Sequence, residues 1–124
     1  MVTQTAWPFR DPDKEDGIST TKRMVSQLLQ RKEAYANLSA EQARSLMALG
    51  IEVSQSRDEN TGRSMQEAAR IAGLDPAFFV ILEGGQALPE EITPEVLRAV
   101  ARSVGVEVGR LEAAMKPLKP AGTN

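Results

Sequence analysis

The sequence predicts an all-α fold of five to six helices, and three observations carry that expectation. Apolar residues fall on one face at helical spacing in several successive windows. The windows are separated by residues that start and stop helices: Ser, Thr or Asp before them, with Pro at the first helical position, and Gly after them. With only five aromatic residues, Leu, Val, Ile, Ala and Met must build the core, and that composition suits helices better than a β-sandwich. A chain of 124 residues fits one domain.

Residues 1–18 hold three widely spaced apolar groups, Val2, Trp7 and Phe9, together with Pro8, Pro12 and a charged run over 10–16, so no periodic face forms. This segment reads as an arm that is expected to be flexible. Trp7-Pro8-Phe9 is either an anchor for a partner or for the body of the protein, or part of a tail whose aromatics are incidental. Residues 19–38 read as an additional helix, a candidate for dimerisation. Ser19 or Thr20 serves as its cap, and Met24, Val25, Leu28, Leu29 and Tyr35 form its apolar face.

The domain proper is expected over residues 39–115. Ser39 is an N-cap with Gln42 as its capping-box partner and Leu38 positioned to staple against Ala43. The helix that follows carries Ala43, Leu46, Met47 and Val53 inward, with Gly50 marking a close contact or a kink, and stops before the turn signal at 58–62. Ser64 and Glu67 form a second capping box, opening a short helix with Ala68, Ala69 and Ile71 on a small-residue face that Gly73 closes. Asp75-Pro76 restarts the chain at once, and the run 77–83 ends at Gly84-Gly85. Two short helices joined by a Gly-containing turn of about four residues are the supersecondary signature of a helix-turn-helix.

Residues 86–92 read as a loop around Pro89. Thr93-Pro94-Glu95 then starts a helix with Val96, Leu97, Val100, Ala101 and Val104 on one face. Gly105 ends it, a last helix from about Glu107 carries Val108, Leu111 and Met115, and a flexible tail is expected over 116–124.

The residue inventory narrows the function. The chain has no His and no Cys, which removes the commonest general base, the best nucleophile and thiolate metal sites, so an enzyme is not expected and neither metal nor cofactor is implied. No apolar run approaches the roughly 20 residues that span a bilayer, and residues 1–10 lack an apolar stretch behind a basic start. A cytoplasmic protein without a membrane partner is therefore expected. The net charge of −2, from 15 basic and 17 acidic residues, lacks the basic footprint of a protein that neutralises many phosphates.

Taken in order, Leu49-Gly50, Val53 to Arg57, Ser64-Met65-Gln66-Glu67-Ala68-Ala69, Gly73-Leu74-Asp75, Phe79 to Gly85, and Leu97 with Val100-Ala101, Val104-Gly105-Val106 resemble the lambda-repressor-like helix-turn-helix family of the Cro and xenobiotic-response-element type. The resemblance covers residues 49–111, with slightly longer connections before Ser64 and between Gly85 and Leu97. It implies a DNA-binding transcriptional regulator, a homodimer on paired half-sites, and a recognition helix beginning near Pro76. The residues it places at the DNA or partner surface are Gln66, Pro76, Ala77, Phe78, Val80, Ile81 and Gln86, with Arg57, Arg63 and Arg70 as candidates for phosphate contact.

The recognition helix departs from that pattern. Base reading needs side-chain donors and acceptors, and none of residues 76–82 has one. Three explanations compete for an outward face this apolar. It docks a protein partner or a second copy. It is covered by the arm or the first helix, with Trp7, Phe9, Met24 or Leu28 packed on it. Or DNA is still bound, through thymine methyls and scattered cations such as Arg98, Arg102, Lys116 and Lys119. The alternative to a DNA regulator is accordingly a regulator that binds protein. Among the other marked residues, Arg57 suits a helix C-terminal partner or surface ion pair. Glu83 suits a structural pair with Arg98 or Arg70. Gly73 and Gly85 suit positive φ, and Glu90-Glu91 suits a solvated loop.

Overall fold

The computed structural model describes residues 7–14 and 16–115. Among them are seven α-helices: α1 (Gly17–Gln30), α2 (Lys32–Ala36), α3 (Ala40–Ser56), α4 (Met65–Ala72), α5 (Pro76–Glu83), α6 (Pro94–Val104) and α7 (Val108–Ala114). A π-helical turn, Arg57–Thr61, prolongs α3 through most of the expected 58–62 turn, and 3-10 turns occupy Pro12–Lys14 and Pro89–Glu91.

Most helix starts are set by the expected caps. Ser39 Oγ accepts from Gln42 N at 3.0 Å while Gln42 Oε1 accepts from Ser39 N at 2.9 Å. Ser64 and Glu67 repeat the arrangement at α4. Asp75 Oδ1 accepts from Ala77 N at 2.9 Å, and Thr93 Oγ1 from Val96 N at 3.2 Å, each just before a Pro at the first helical position. Gly73 and Gly85 hold φ of 73° and 75°, as expected.

The first helix departs from expectation twice. It begins at Gly17, capped by Asp16, whose carboxylate accepts from both Ser19 N at 2.9 Å and Ser19 Oγ at 2.7 Å. Ser19 therefore feeds a cap instead of being one. The expected single helix over 19–38 is also broken at Arg31, with φ −97° and ψ 0°, which makes the count seven where five to six were expected. The break falls where the Arg31 side chain turns into the body.

The core is mainly aliphatic, with Leu46, Leu49 and Val53 of α3, Phe79 and Leu82 of α5, Leu97, Val100 and Val104 of α6, and Leu111 of α7 all buried. α4 packs on α6, α5 on α3, and α7 on both α3 and α6. Gly50 permits the α3–α5 contact: a Cβ there would lie 2.6 Å from Glu83 O and 2.7 Å from Leu82 O. Gly50 is thus a close-approach position. Two residues expected inward, Met47 and Ile71, are exposed, because the inner faces of α3 and α4 are filled by Leu46 and Leu49 and by Ala68, Ala69 and Ala72. On α1 only Met24 and Leu28 of the expected apolar face pack against the core, while Val25 and Leu29 face outward.

The expected arm, in its described part, is not free. Phe9 pairs with Leu74 in an isolated antiparallel bridge, with Arg10 N donating to Gly73 O at 3.0 Å and Asp75 N to Pro8 O at 2.8 Å. Residues 7–10 therefore run along the α4–α5 turn. The expectations for residues 1–6 and for the tail 116–124 lie outside the described residues, as do Lys116 and Lys119.

Candidate functional site: the covered face of helix α5

Helix α5 is apolar from Pro76 to Leu82, and such a helix is stable in water only when enclosed. The enclosure is nearly complete: Pro76, Ala77, Phe78, Phe79, Ile81 and Leu82 are buried, and Val80 is partly buried. α3 closes one side through Gly50, while α1 and the 7–10 strap close the other. The Trp7 ring meets Phe78 edge-on, with centroids 5.7 Å apart and planes at 85°, a favoured aromatic geometry. Met24 and Leu28, one turn apart on α1, together with Trp7 and Phe9, add apolar contact to the core. Of the three explanations for the apolar face, the covered one matches this packing. The exposed-patch expectation for Phe78 and Ile81 is corrected, because both are buried and the Trp7 ring packs on Phe78.

Polar contacts hold that cover on. The Glu91 carboxylate is the hub, with its side chain 10% exposed. Its Oε1 accepts from Arg31 Nη1 at 2.6 Å and from Leu88 N at 2.8 Å, and its Oε2 accepts from Arg31 Nη2 and from Trp7 Nε1. The Arg31 guanidinium lies 5.6 Å from the centroid of the Trp7 ring, a cation–π contact. Arg31, Trp7 and Glu91 thus form one clasp between the α1–α2 junction, the strap and the turn before α6. Glu90 is exposed, as a solvated loop requires, but Glu91 departs from that expectation because Arg31 and Trp7 enclose it.

A second fastening lies at the other end of α5. Arg23 Nε donates to Asp75 Oδ2 at 2.7 Å and Arg23 Nη2 to Oδ1 at 3.1 Å, so one carboxylate both caps α5 and anchors α1. Tyr35 of α2 donates to Gln86 O at 2.6 Å, and partial burial pushes its hydroxyl pKa up. Arg23 Nη1 and Arg31 Nε are buried without an acceptor.

The remaining marked residues divide into exposed and engaged. Gln66, Arg70 and Gln86 are exposed. Gln66 lines a cleft of about 370 Å³ with Gly17, Thr20, Ser64, Pro76 and Val80, where α1, α4 and α5 all begin. Arg57 is occupied: Nε and Nη2 hold the Glu83 carboxylate at 2.7 and 3.0 Å, and Nη1 donates to Arg63 O at 2.7 Å. The hydrogen bonds to Glu83 raise the Arg57 pKa further. Glu83 accordingly pairs with Arg57, not with the expected Arg98 or Arg70, whose side chains point to solvent. Arg63 Nη1 donates to Ser103 O at 2.7 Å. Two of the three phosphate candidates therefore brace the body.

Arg23 and Arg31 went unmarked in the sequence, and Glu91 was marked only as part of a solvated loop. The signal that pointed toward them was indirect: a helix apolar all round needs a lid, and a lid that carries cations needs acids beneath it. Among the described residues no group of three or more acids gathers as a metal site requires, and no helix is long and apolar enough to cross a membrane. Comparison of the chain with protein-family models, curated proteins and solved structures finds no match.

Proposed function

We propose that this chain is a regulatory binding protein with a lambda-repressor-like helix-turn-helix core, acting through protein contacts and not by reading bases. One observation carries the proposal: α5, the helix that the resemblance assigns to the major groove, offers no hydrogen-bonding side chain over 76–82 and is enclosed by the N-terminal segment. The engagement of Arg57 and Arg63 within the body adds support. A residue set without His or Cys favours binding over catalysis.

The homodimer that the resemblance implies is assigned to α1. Ile18, Val25 and Leu29 are 71%, 46% and 76% exposed. Together with Lys22 they follow steps of four, three and four residues, the seam spacing of paired helices with one polar position that fixes register. The apolar positions of this seam match those of a second copy of α1, and Lys22 is its only charged residue.

DNA binding is the second reading, favoured by the exposure of Gln66, Arg70, Arg98 and Arg102. Titration of the protein against random-sequence DNA at two salt concentrations separates the two, because phosphate-driven binding weakens steeply as salt rises. The protein-binding reading expects no complex even at low salt. Micromolar binding with a steep salt slope would replace it with the DNA reading.

A further inference from the structure

We propose that two copies of this chain pair antiparallel along α1, so that Ile18 of each lies against Leu29 of the other and the two Lys22 side chains fall in different layers. The inference deepens the dimer assigned above and rests on that reading.

The heptad register is the starting point. Steps of four, three and four residues from Ile18 admit one assignment, with Ile18 and Val25 at d and Lys22 and Leu29 at a. Met24 and Leu28 pack on the core from the opposite side of α1, which leaves the seam exposed along its whole length. Thr21 and Ser26, at the two edges of the seam, are exposed and uncharged. No charged edge residue selects an orientation, and the choice falls to the seam itself.

Two features weigh against a parallel pair, which stacks a on a and d on d. It would set Lys22 against Lys22, two strongly hydrated like charges in one layer. It would also put the β-branched Ile18 and Val25 at d with Leu29 at a, the reverse of what two parallel strands favour. An antiparallel pair sets a against d instead. Ile18 then meets Leu29 at both ends of the seam. Each Lys22 lies beside Val25, where its stem covers apolar surface and its ammonium reaches water. The two cations are displaced along the helices by three residues of rise, about 4.5 Å. The helix dipoles also oppose, with the positive N-terminal end of each α1 beside the negative C-terminal end of the other. Charge and side-chain shape thus select the same orientation.

Antiparallel pairing has a consequence for the rest of the surface. Each α1 begins at the cleft that Gly17 and Thr20 form with Ser64, Gln66 and Pro76. The two clefts of a dimer therefore lie at opposite ends of the paired helices, roughly 20 Å apart along their axis, where a parallel pair would set them side by side.

The absence of native cysteine allows a direct test on the full chain. Ile18→Cys and Leu29→Cys, both at outward positions, are made singly and oxidised in glutathione buffer, each alone and as an equal mixture, with the disulfide-linked products resolved by mass. The mixed disulfide is expected to exceed either symmetric one at least about tenfold, because only facing positions bring two Cβ atoms to the roughly 4 Å that a disulfide needs. Symmetric disulfides formed efficiently by each variant alone would show a parallel pair, overturning the orientation while leaving α1 as the interface. A random mixture of the three products would show no defined pairing and overturn the α1 dimer together with its orientation. Sedimentation of the parent chain as a tetramer, the state that parallel helices with Leu at a and Ile at d favour, would also overturn the proposal.

Discussion

Asp16 shows how one exposed side chain governs the entry to the cover. Hydrogen bonds from Ser19 N–H and from the Ser19 hydroxyl hold its carboxyl below the ordinary 3.8. A carboxyl lowered in the folded state stabilises α1 above the unfolded value, and that contribution is lost as pH falls through the lowered value. The Ser19 amide resonance is therefore expected to titrate with a midpoint below 3.8. Asp16→Asn, which still caps, should abolish that titration while retaining α1. Arg57 and Glu83 pose the opposite case, a pair inside the body with side chains 17% and 8% exposed. Arg57→Ala strands the Glu83 carboxylate, at an expected cost of roughly 3 kcal/mol in urea unfolding. Replacing both residues with Leu should recover much of that loss, since the pair's own net contribution is small.

The α3–α5 crossing depends on a residue without a side chain. Gly50→Ala gains about 1 kcal/mol of helix propensity but drives a methyl to 2.6 Å from the Glu83 carbonyl oxygen, a backbone atom that cannot rotate away. The clash wins, and a net loss of about 1–2 kcal/mol in thermal or urea unfolding is expected. Most helix starts with a local signal were legible, the Asp16 cap of α1, with Ser19 three residues on, being the exception. Ser39 with Gln42, Ser64 with Glu67, Asp75 with Pro76, and Thr93 with Pro94 each lie within a few residues, and each cap formed as read. The break at Arg31 was illegible for the converse reason. It falls at the residue that reaches a carboxylate 60 residues away, and long-range charge pairing leaves no periodic mark in a sequence. The same reason hid Arg23, which finds Asp75 across 52 residues. The candidate face was half legible: the apolar run of α5 announced that something must cover it, and Trp7, Phe9, Met24 and Leu28 were among the residues available to do so.

In the assembled protein the N-terminal segment has two faces with separate tasks. Met24, Leu28, Arg23 and Arg31 look toward the body, and Ile18, Val25 and Leu29 look away from it. Under the proposed dimer, Leu29→Glu places a charge in the outward seam without touching the inward contacts. Sedimentation velocity should then show a monomer with unchanged circular dichroism, and a variant that sediments like the parent would remove α1 from the interface.

The Arg31–Glu91 clasp also fixes an order of events in time. Trp7 and Glu91 lie 84 residues apart, and Arg31 precedes its acceptor by 60. A ribosome adding roughly 5–20 residues per second finishes α1 and α2 seconds before the acid that fastens them emerges. Until Glu91 is made, α1 and α2 lack the acid that fastens them, whereas α6 and α7 are made only after it.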